Sequence, residues 1–359
     1  MLPLVLLGAL SSALLNVAPR LSLAPRATMA RAVAPLCSAT AGAIEVSVTR
    51  TAAGGLGIEV DPDTNVVASN SAQPGLNLGD VIVAVNGELC GTKYVGALLT
   101  PGTDTYSFSV ERGTPAGRQA LEAILLRLTI QVANVASVPS IPLAEVTVDA
   151  DDTAKMLALV SALEAGGPAT GTSIADLSGF WRLRFTDDAA LGAGLSGFGL
   201  MQGCTAAAQF QLYGQPEPDS VQCVEVIANQ AVRGHQVASL QGTANTEDDG
   251  TVTDVYTRVA LGGAPQEGSG TQTYPHTLSY LGASLRICRA AGEGGAMRVY
   301  EKQSSEAAQG ELQTLAAAPV VVVVEKGEEA KPRWQVADEE RRSYGNGGSS
   351  PMGDTSGIP

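Results

Sequence analysis

The sequence predicts a mainly β protein of two or three domains, and three observations carry that prediction. At 359 residues the chain exceeds one ordinary domain. Hydrophobic residues reach 45%, enough for packed cores, while aromatics are only 4% and there are 41 glycines and 19 prolines, a balance that favours strands and turns over a helical bundle. Runs such as Ile44–Thr49, Tyr106–Arg112 and Leu177–Thr186 alternate apolar and polar side chains at period two. No stretch reaches the roughly eighteen apolar residues of a membrane-crossing helix.

Residues 1–43 read as a leader. Met1–Leu15 is apolar, too short to span a bilayer and long enough for the core of a secretory signal. The stretch behind it has no acid and carries Arg20, Arg26 and Arg31 among Ala and Ser, the composition of a transit peptide. The pair resembles the bipartite leader of algae with complex plastids. The other reading is a secreted protein with a low-complexity N-terminus, which has no Asn-x-Ser/Thr acceptor to support it. The chain holds 22 basic against 36 acidic residues, and three of the 22 lie in this leader. So acidic a body suits no phosphate backbone, and nucleic acid is excluded as a partner.

The first domain is set at 44–113. Its glycine loop Gly54-Gly55-Leu56-Gly57 runs into the short strand Ile58-Glu59-Val60, and Val81–Val85 meets the tight-turn pair Asn86-Gly87. Thr92–Leu99 reads as a short helix stopped by Pro101-Gly102. The Gly-Leu-Gly-Ile loop and the run GLNLGD-V-I-x-x-V-N-G resemble a PDZ domain. The resemblance implies that Leu56, Gly57 and Ile58 present amides to a peptide's terminal carboxylate. Ile58, Glu59 and Val60 would then pair with that peptide, and Thr92 and Lys93 would open the groove helix. The residues lack the His common at that helix start, and a docking or spacing module without a peptide ligand is the competing reading.

Residues 114–150 are read as a linker, with a helical pattern over Arg118–Val132 and a boundary near Pro139–Pro142. The second domain is set at 151–303. It opens with the helix Ala154–Glu164, entered past Asp149, Asp151 and Asp152, acids that favour a helix N-terminus. The strand Leu177–Thr186 follows, in which Trp181, Leu183 and Phe185 are expected on one face. The stretches LVSALEAGGPA, LSGFWRLRFT and Tyr280–Arg289 with Met297–Lys302 resemble the plastid lipid-associated proteins, or fibrillins. The resemblance implies a lipocalin-like antiparallel β-barrel that holds apolar lipids or isoprenoids at a thylakoid or lipid-globule surface. Candidate lining residues are Trp181, Leu183, Phe185, Tyr213, Tyr280, Leu285 and Ile287, with plain core packing as the competing reading. The family's acidic loop is here Gly282-Ala283-Ser284, and Arg286 and Arg289 are expected as strand-face charges with carboxylate partners.

The two histidines, His235 and His276, stand in no metal-binding or hydrolase motif, and Asp61–Ala72 misses the Gly and Glu of a calcium loop. Cys90, Cys204, Cys223 and Cys288 are expected as buried thiols, a Cys204–Cys223 bridge being the alternative. Residues 304–359 are read as a largely disordered tail, apart from the strand-forming Val320–Val324 and the anchor candidate Trp334. The expectation is a mainly β protein: a PDZ-like β-sandwich or partial barrel, then a lipocalin-like barrel. It is non-catalytic, needs no cofactor or metal, and lies in a plastid. It would bind an apolar lipid or isoprenoid and the C-terminus of a partner protein. The alternative is a scaffold or protease adaptor whose barrel is solid.

Overall fold

The computed structural model describes residues 42–135, 150–166, 169–187, 194–201, 204–229, 233–267, 270–291 and 295–318. Nearly all of the leader, the Pro139–Pro142 boundary, Asp149, Val320–Val324 and Trp334 lie outside the described residues. All described residues belong to one compact unit.

The chain opens with β1 (Ile44–Thr49), β2 (Ile58–Val60), β3 (Val67–Asn70), β4 (Val81–Val85), β5 (Glu88–Leu89) and β6 (Thr105–Glu111). Strands β1-β6-β4-β5 form one antiparallel sheet in that order, and β2-β3 form a hairpin. Period-two alternation does what it predicts here: Val46 and Val48 of β1 pack on Tyr106, Phe108 and Val110 of β6, leaving Glu45 and Ser47 in solvent.

Helices α1 (Pro115–Val135) and α2 (Ala150–Glu164) come next. In α2 the buried residues are Met156, Leu159, Val160 and Leu163, the one-sided stripe of an amphipathic helix. Leu121 and Leu125 of α1 share a buried cluster with that stripe, with Val66 of the N-terminal unit and with Leu285, Ile287, Met297 and Val299 of the second sheet. Residues 115–135 are therefore no linker in the mechanical sense. They form a strut with apolar residues of both units packed on it.

The second unit comprises β7 (Gly179–Thr186), β8 (Cys204–Tyr213), β9 (Ser220–Asn229), β10 (Gly234–Thr246), β11 (Thr251–Leu261), β12 (Ala264–Pro265), β13 (Gln272–Leu281), β14 (Leu285–Ala290) and β15 (Met297–Gln303). Each long strand pairs with its neighbour in sequence, and β15 pairs back onto β7. The result is a closed, eight-stranded, up-and-down antiparallel barrel, with β12 a short appendage on β11. Closure leaves no long edge unpaired.

The start of the tail needs a correction. Residues 305–317 form helix α3 (Ser305–Ala317), whose N-cap Ser304 accepts from the Ala307 amide. Ala308 and Leu312 pack on Phe210, Val224 and Val226 of the barrel's outside. Arg182 and Arg184 of β7 pair with Glu311 at 3.0 and 3.2 Å, fixing the helix at its polar margin.

Candidate functional site

The first candidate surface is the loop and strand at residues 50–60. Arg50 gathers the loop, donating to Gly54 O at 2.7 Å, Thr103 O at 2.7 Å and the Tyr106 hydroxyl at 3.0 Å. Gln73 donates to Leu56 O at 2.6 Å, and Ser71 N to Gly57 O at 2.9 Å. The loop's carbonyls are thus engaged, while the amides of Leu56 and Gly57 meet no acceptor among the described residues. Gly57 sits at φ +66, and a Cβ there would collide with Ala72. Ile58–Val60 pairs with β3 on one edge, and its other edge is unpaired among the described residues.

The expected helix over Thr92–Leu99 is not formed. A four-residue 3₁₀ turn, Val95–Leu98, replaces it. Asn65 accounts for the difference: its side chain accepts from Val95 N at 2.9 Å and donates to Lys93 O at 2.8 Å, so the backbone there is satisfied without a helical ladder. Lys93 pairs with Glu88 on the surface, and Thr92 is exposed. Neither opens a groove helix. Glu59 meets Lys155 of α2 at 2.9 Å.

The second candidate is the barrel interior. Trp181, Leu183 and Tyr213 are buried inside it. Phe185, Leu285, Ile287 and Tyr280 are not lining residues. They belong to the outer wall, packed under α1 and α2. Two β-bulges explain the aromatic pair. Phe185 opposes Val299 but Leu183 opposes Tyr300, so Arg184 is an extra residue that turns Phe185 outward. In β13 the shift between Leu278 and Tyr280 does the same to Tyr280. For β14 plain alternation suffices: Leu285, Ile287 and Arg289 face out, Arg286 and Cys288 in.

Arg289 pairs with Glu164 of α2 at 2.7 Å, the carboxylate partner expected of a strand-face charge. Arg286 does not. It is 0% exposed, inside the barrel, with its guanidinium 4.9 Å from the Trp181 ring, 4.9 Å from Tyr213 and 4.2 Å from Tyr300. Its Nη2 donates to Gln211 Oε1, whereas Nε and Nη1 have no hydrogen-bond partner. Trp181 is held by its own N–H, which donates to Leu177 O at 2.7 Å.

Around this group lies a polar network. Asp254 accepts from the Tyr213 hydroxyl at 2.9 Å and from Tyr256 at 3.5 Å. Burial pushes the Asp254 carboxyl up to about 6, against the pull of Arg286 and the two phenols. Burial also holds His276 neutral, its pKa pulled down to about 3 with Arg286 and Arg298 adding to the effect. Glu225 accepts from Leu195 N, Ser196 N, Ser196 Oγ and Gln209 Nε2, so it latches the Leu195–Phe198 turn onto the barrel. Burial raises its carboxyl and those hydrogen bonds lower it.

Sequence reasoning missed Asp254, Tyr256, Glu225, Gln211 and Tyr300, which come from four different strands. The findable signal was Arg286, which alternates with two apolar neighbours and so must face opposite to them. Cys90, Cys204, Cys223 and Cys288 are all free thiols, so the Cys204–Cys223 bridge is not formed. Among the described residues no group of His, Cys, Asp and Glu is placed to hold a metal ion, and no helix is long and apolar enough to cross a membrane.

One acidic contact ties α1 to the barrel. Glu122 of α1 is buried and accepts from Ser284 N, Ser284 Oγ and Tyr280 at 3.1, 2.6 and 2.8 Å. Gly282 leaves the room for its carboxylate to approach. Glu122 thus holds the Gly282–Ser284 turn from the helix.

No protein-family model matches the chain, and no curated protein and no solved structure does either.

Proposed function

We propose that this is a non-catalytic plastid protein that holds an apolar-tailed lipid or isoprenoid in its barrel and docks the C-terminus of a partner on its N-terminal unit. The observation that carries the reading is the barrel's interior. Trp181, Tyr213 and Tyr300 converge there on a guanidinium with two unpartnered nitrogens, Nε and Nη1, inside a closed wall. A solid core has no use for such an arrangement: each buried donor left unpaired costs about 1–3 kcal/mol, and a Leu or Met would remove the cost. A bound molecule gives the group a purpose, and aromatic faces suit an apolar chain or ring.

The N-terminal unit supports the second half. Free amides at Leu56 and Gly57, next to the open edge of Ile58–Val60, are the two parts needed to capture a carboxylate and pair with the residues before it. The plastid address rests on residues 1–43 and on the resemblance of 151–303 to the fibrillins.

A scaffold with a solid barrel is the second reading. It is favoured by Trp181, which is fully buried and bonded by its N–H to Leu177 O. Native mass spectrometry of the purified full chain separates the two. The proposal expects a co-purified lipid that is lost on delipidation; protein repeatedly recovered without any lipid from its source organelle leaves the scaffold. Fusion of residues 1–43 to a fluorescent reporter tests the address, and secretion into the medium would refute it.

A further inference from the structure

We infer that Arg286 is an anion-binding group and that the molecule the barrel receives is a carboxylate with an apolar tail, a long-chain fatty acid. This rests on the reading of the barrel as a lipid holder and specifies the head group that it reads.

An arginine stays protonated at any physiological pH, so its positive charge is present throughout. Withdrawn from water, that charge needs hydrogen bonds and a counter-charge. The hydrogen-bonding neighbours of Arg286 are both neutral, Gln211 Oε1 and the Tyr213 hydroxyl, and Nε and Nη1 remain unpartnered. No ion pair within 4.0 Å involves it among the described residues.

The interior carboxylates do not close this gap. Glu225 is occupied by four donors that hold the Leu195–Phe198 turn. Asp254 is occupied by the hydroxyls of Tyr213 and Tyr256. Both are committed to the wall of the barrel, and Nε and Nη1 of the guanidinium are left without an acceptor.

The surroundings choose the rest of the molecule. The guanidinium carbon lies over the rings of Trp181, Tyr213 and Tyr300, and hydrogen bonds from its unpartnered Nε and Nη1 run in the guanidinium plane, so an acceptor has to approach in or near that plane. A carboxylate offers two oxygens with several lone pairs and forms charge-assisted hydrogen bonds that a hydroxyl, ester or ketone cannot match. Leu183, Leu240, Val252 and Leu278 belong to the same buried cluster as the rings, which suits a hydrocarbon tail. A carotenoid or other pure hydrocarbon would leave both donors unpaired. An amphipathic acid satisfies the two sets of groups at once.

The test uses a matched ligand pair on the delipidated full chain. The chain has two tryptophans, so Trp334→Phe leaves Trp181, whose ring lies 4.9 Å from the guanidinium, as the reporter. Oleate and oleyl alcohol, both kept below concentrations at which they aggregate, differ only at the head. Oleate should bind on the order of tenfold tighter or better, since it gains charge-assisted bonds. Arg286→Met, which keeps the volume apolar, should bring the two ligands to within about threefold of each other. Equal binding of acid and alcohol by the Trp334→Phe protein overturns the head-group inference while leaving the lipid-holding barrel intact. An acid preference that survives in Arg286→Met also overturns it. Binding of neither ligand removes both readings. If Arg286→Met does not fold, the ligand pair on the parent chain decides alone.

Discussion

Strands β14 and β15 present opposite chemistry on their two faces. Outward, Leu285, Ile287, Met297 and Val299 lie under α1 and α2 in one apolar cluster. Inward, Arg286 and Tyr300 belong to a network with Gln211, Tyr213 and Asp254, which reaches the apolar residues through the rings. In a free-standing soluble barrel the assignment would be the reverse, with polar residues facing water. Here the helices make the outer wall a hydrophobic core, which releases the interior from supplying all of the stability. The network inside is where a group can remain unsatisfied, as Nε and Nη1 of Arg286 do.

Phe185 on the outer wall and Trp181 inside are both nearly or fully buried, and truncating either to Ala should cost about 3–5 kcal/mol in urea unfolding. They should differ in ligand retention: Trp181→Ala loses bound lipid, and Phe185→Ala keeps it for as long as it stays folded. Parallel loss of lipid in both variants would mean that the two faces are not functionally separate.

Acid sharpens the comparison, since two interior groups titrate in opposite senses. Burial raises Asp254 from its ordinary value near 4 to about 6, so the folded protein keeps a proton there that the unfolded chain has released. Its contribution to stability is full at low pH and is lost as pH rises through 6, over about two units or about 3 kcal/mol. His276 is depressed from about 6.5 to about 3, so its contribution is full above 6.5 and is lost as pH falls towards 3. Between pH 4 and 6 the two oppose each other. Asp254→Asn should therefore lose stability more steeply than the parent as pH drops from 6 to 4, and His276→Gln less steeply. Urea midpoints at the two pH values measure this, and parallel profiles for parent and Asp254→Asn would rule it out.

How far the sequence could be read follows from the same strands. Alternation placed Trp181 and Leu183 together because the chain between them is regular. It failed at Phe185 because Arg184 is an extra residue, and nothing local in FWRLRFT distinguishes a bulge from a continued strand. Helix α3 was concealed by composition. Its Ala308, Leu312 and Leu315 have helical spacing, but among Ser, Glu, Gln and Gly the stripe is narrow and gains its meaning from the barrel wall it covers. The Arg286 network was the least legible part. Gln211, Tyr213, Asp254 and Tyr300 lie on three other strands, and only closure of the barrel brings them together.

A middle-sized effect is expected where α1 meets the barrel. Glu122→Ala would strip the acceptor from the Tyr280 hydroxyl and from the Ser284 amide and hydroxyl. The cost should be about 1–3 kcal/mol. Faster amide exchange around Ser284 would localise it, and unchanged exchange there would show that the carboxylate does not hold the turn.

The smallest effect concerns the contact of the N-terminal unit with α2, where an ion pair and an apolar seam lie close together. Lys155 meets Glu59 at 2.9 Å, but the two side chains are 42% and 58% exposed. Water screens such a pair, and ordering two long side chains offsets much of the attraction, so its worth is about 0–1 kcal/mol. Nearby, Val66, Leu78 and Val81 of the N-terminal unit pack in the cluster that holds Leu121, Leu125 and Leu159. Burial of that kind is insensitive to salt and scales with area. Lys155→Ala should therefore leave the urea midpoint within about 1 kcal/mol of the parent at low salt, with any difference shrinking at high salt. Leu125→Ala, at a fully buried position, should cost about 2–5 kcal/mol at both. If the lysine variant instead proved the more damaging of the two, the apolar strut would not be what joins the units, and the contact of Glu59 with α2 would have to be reread as the principal tie.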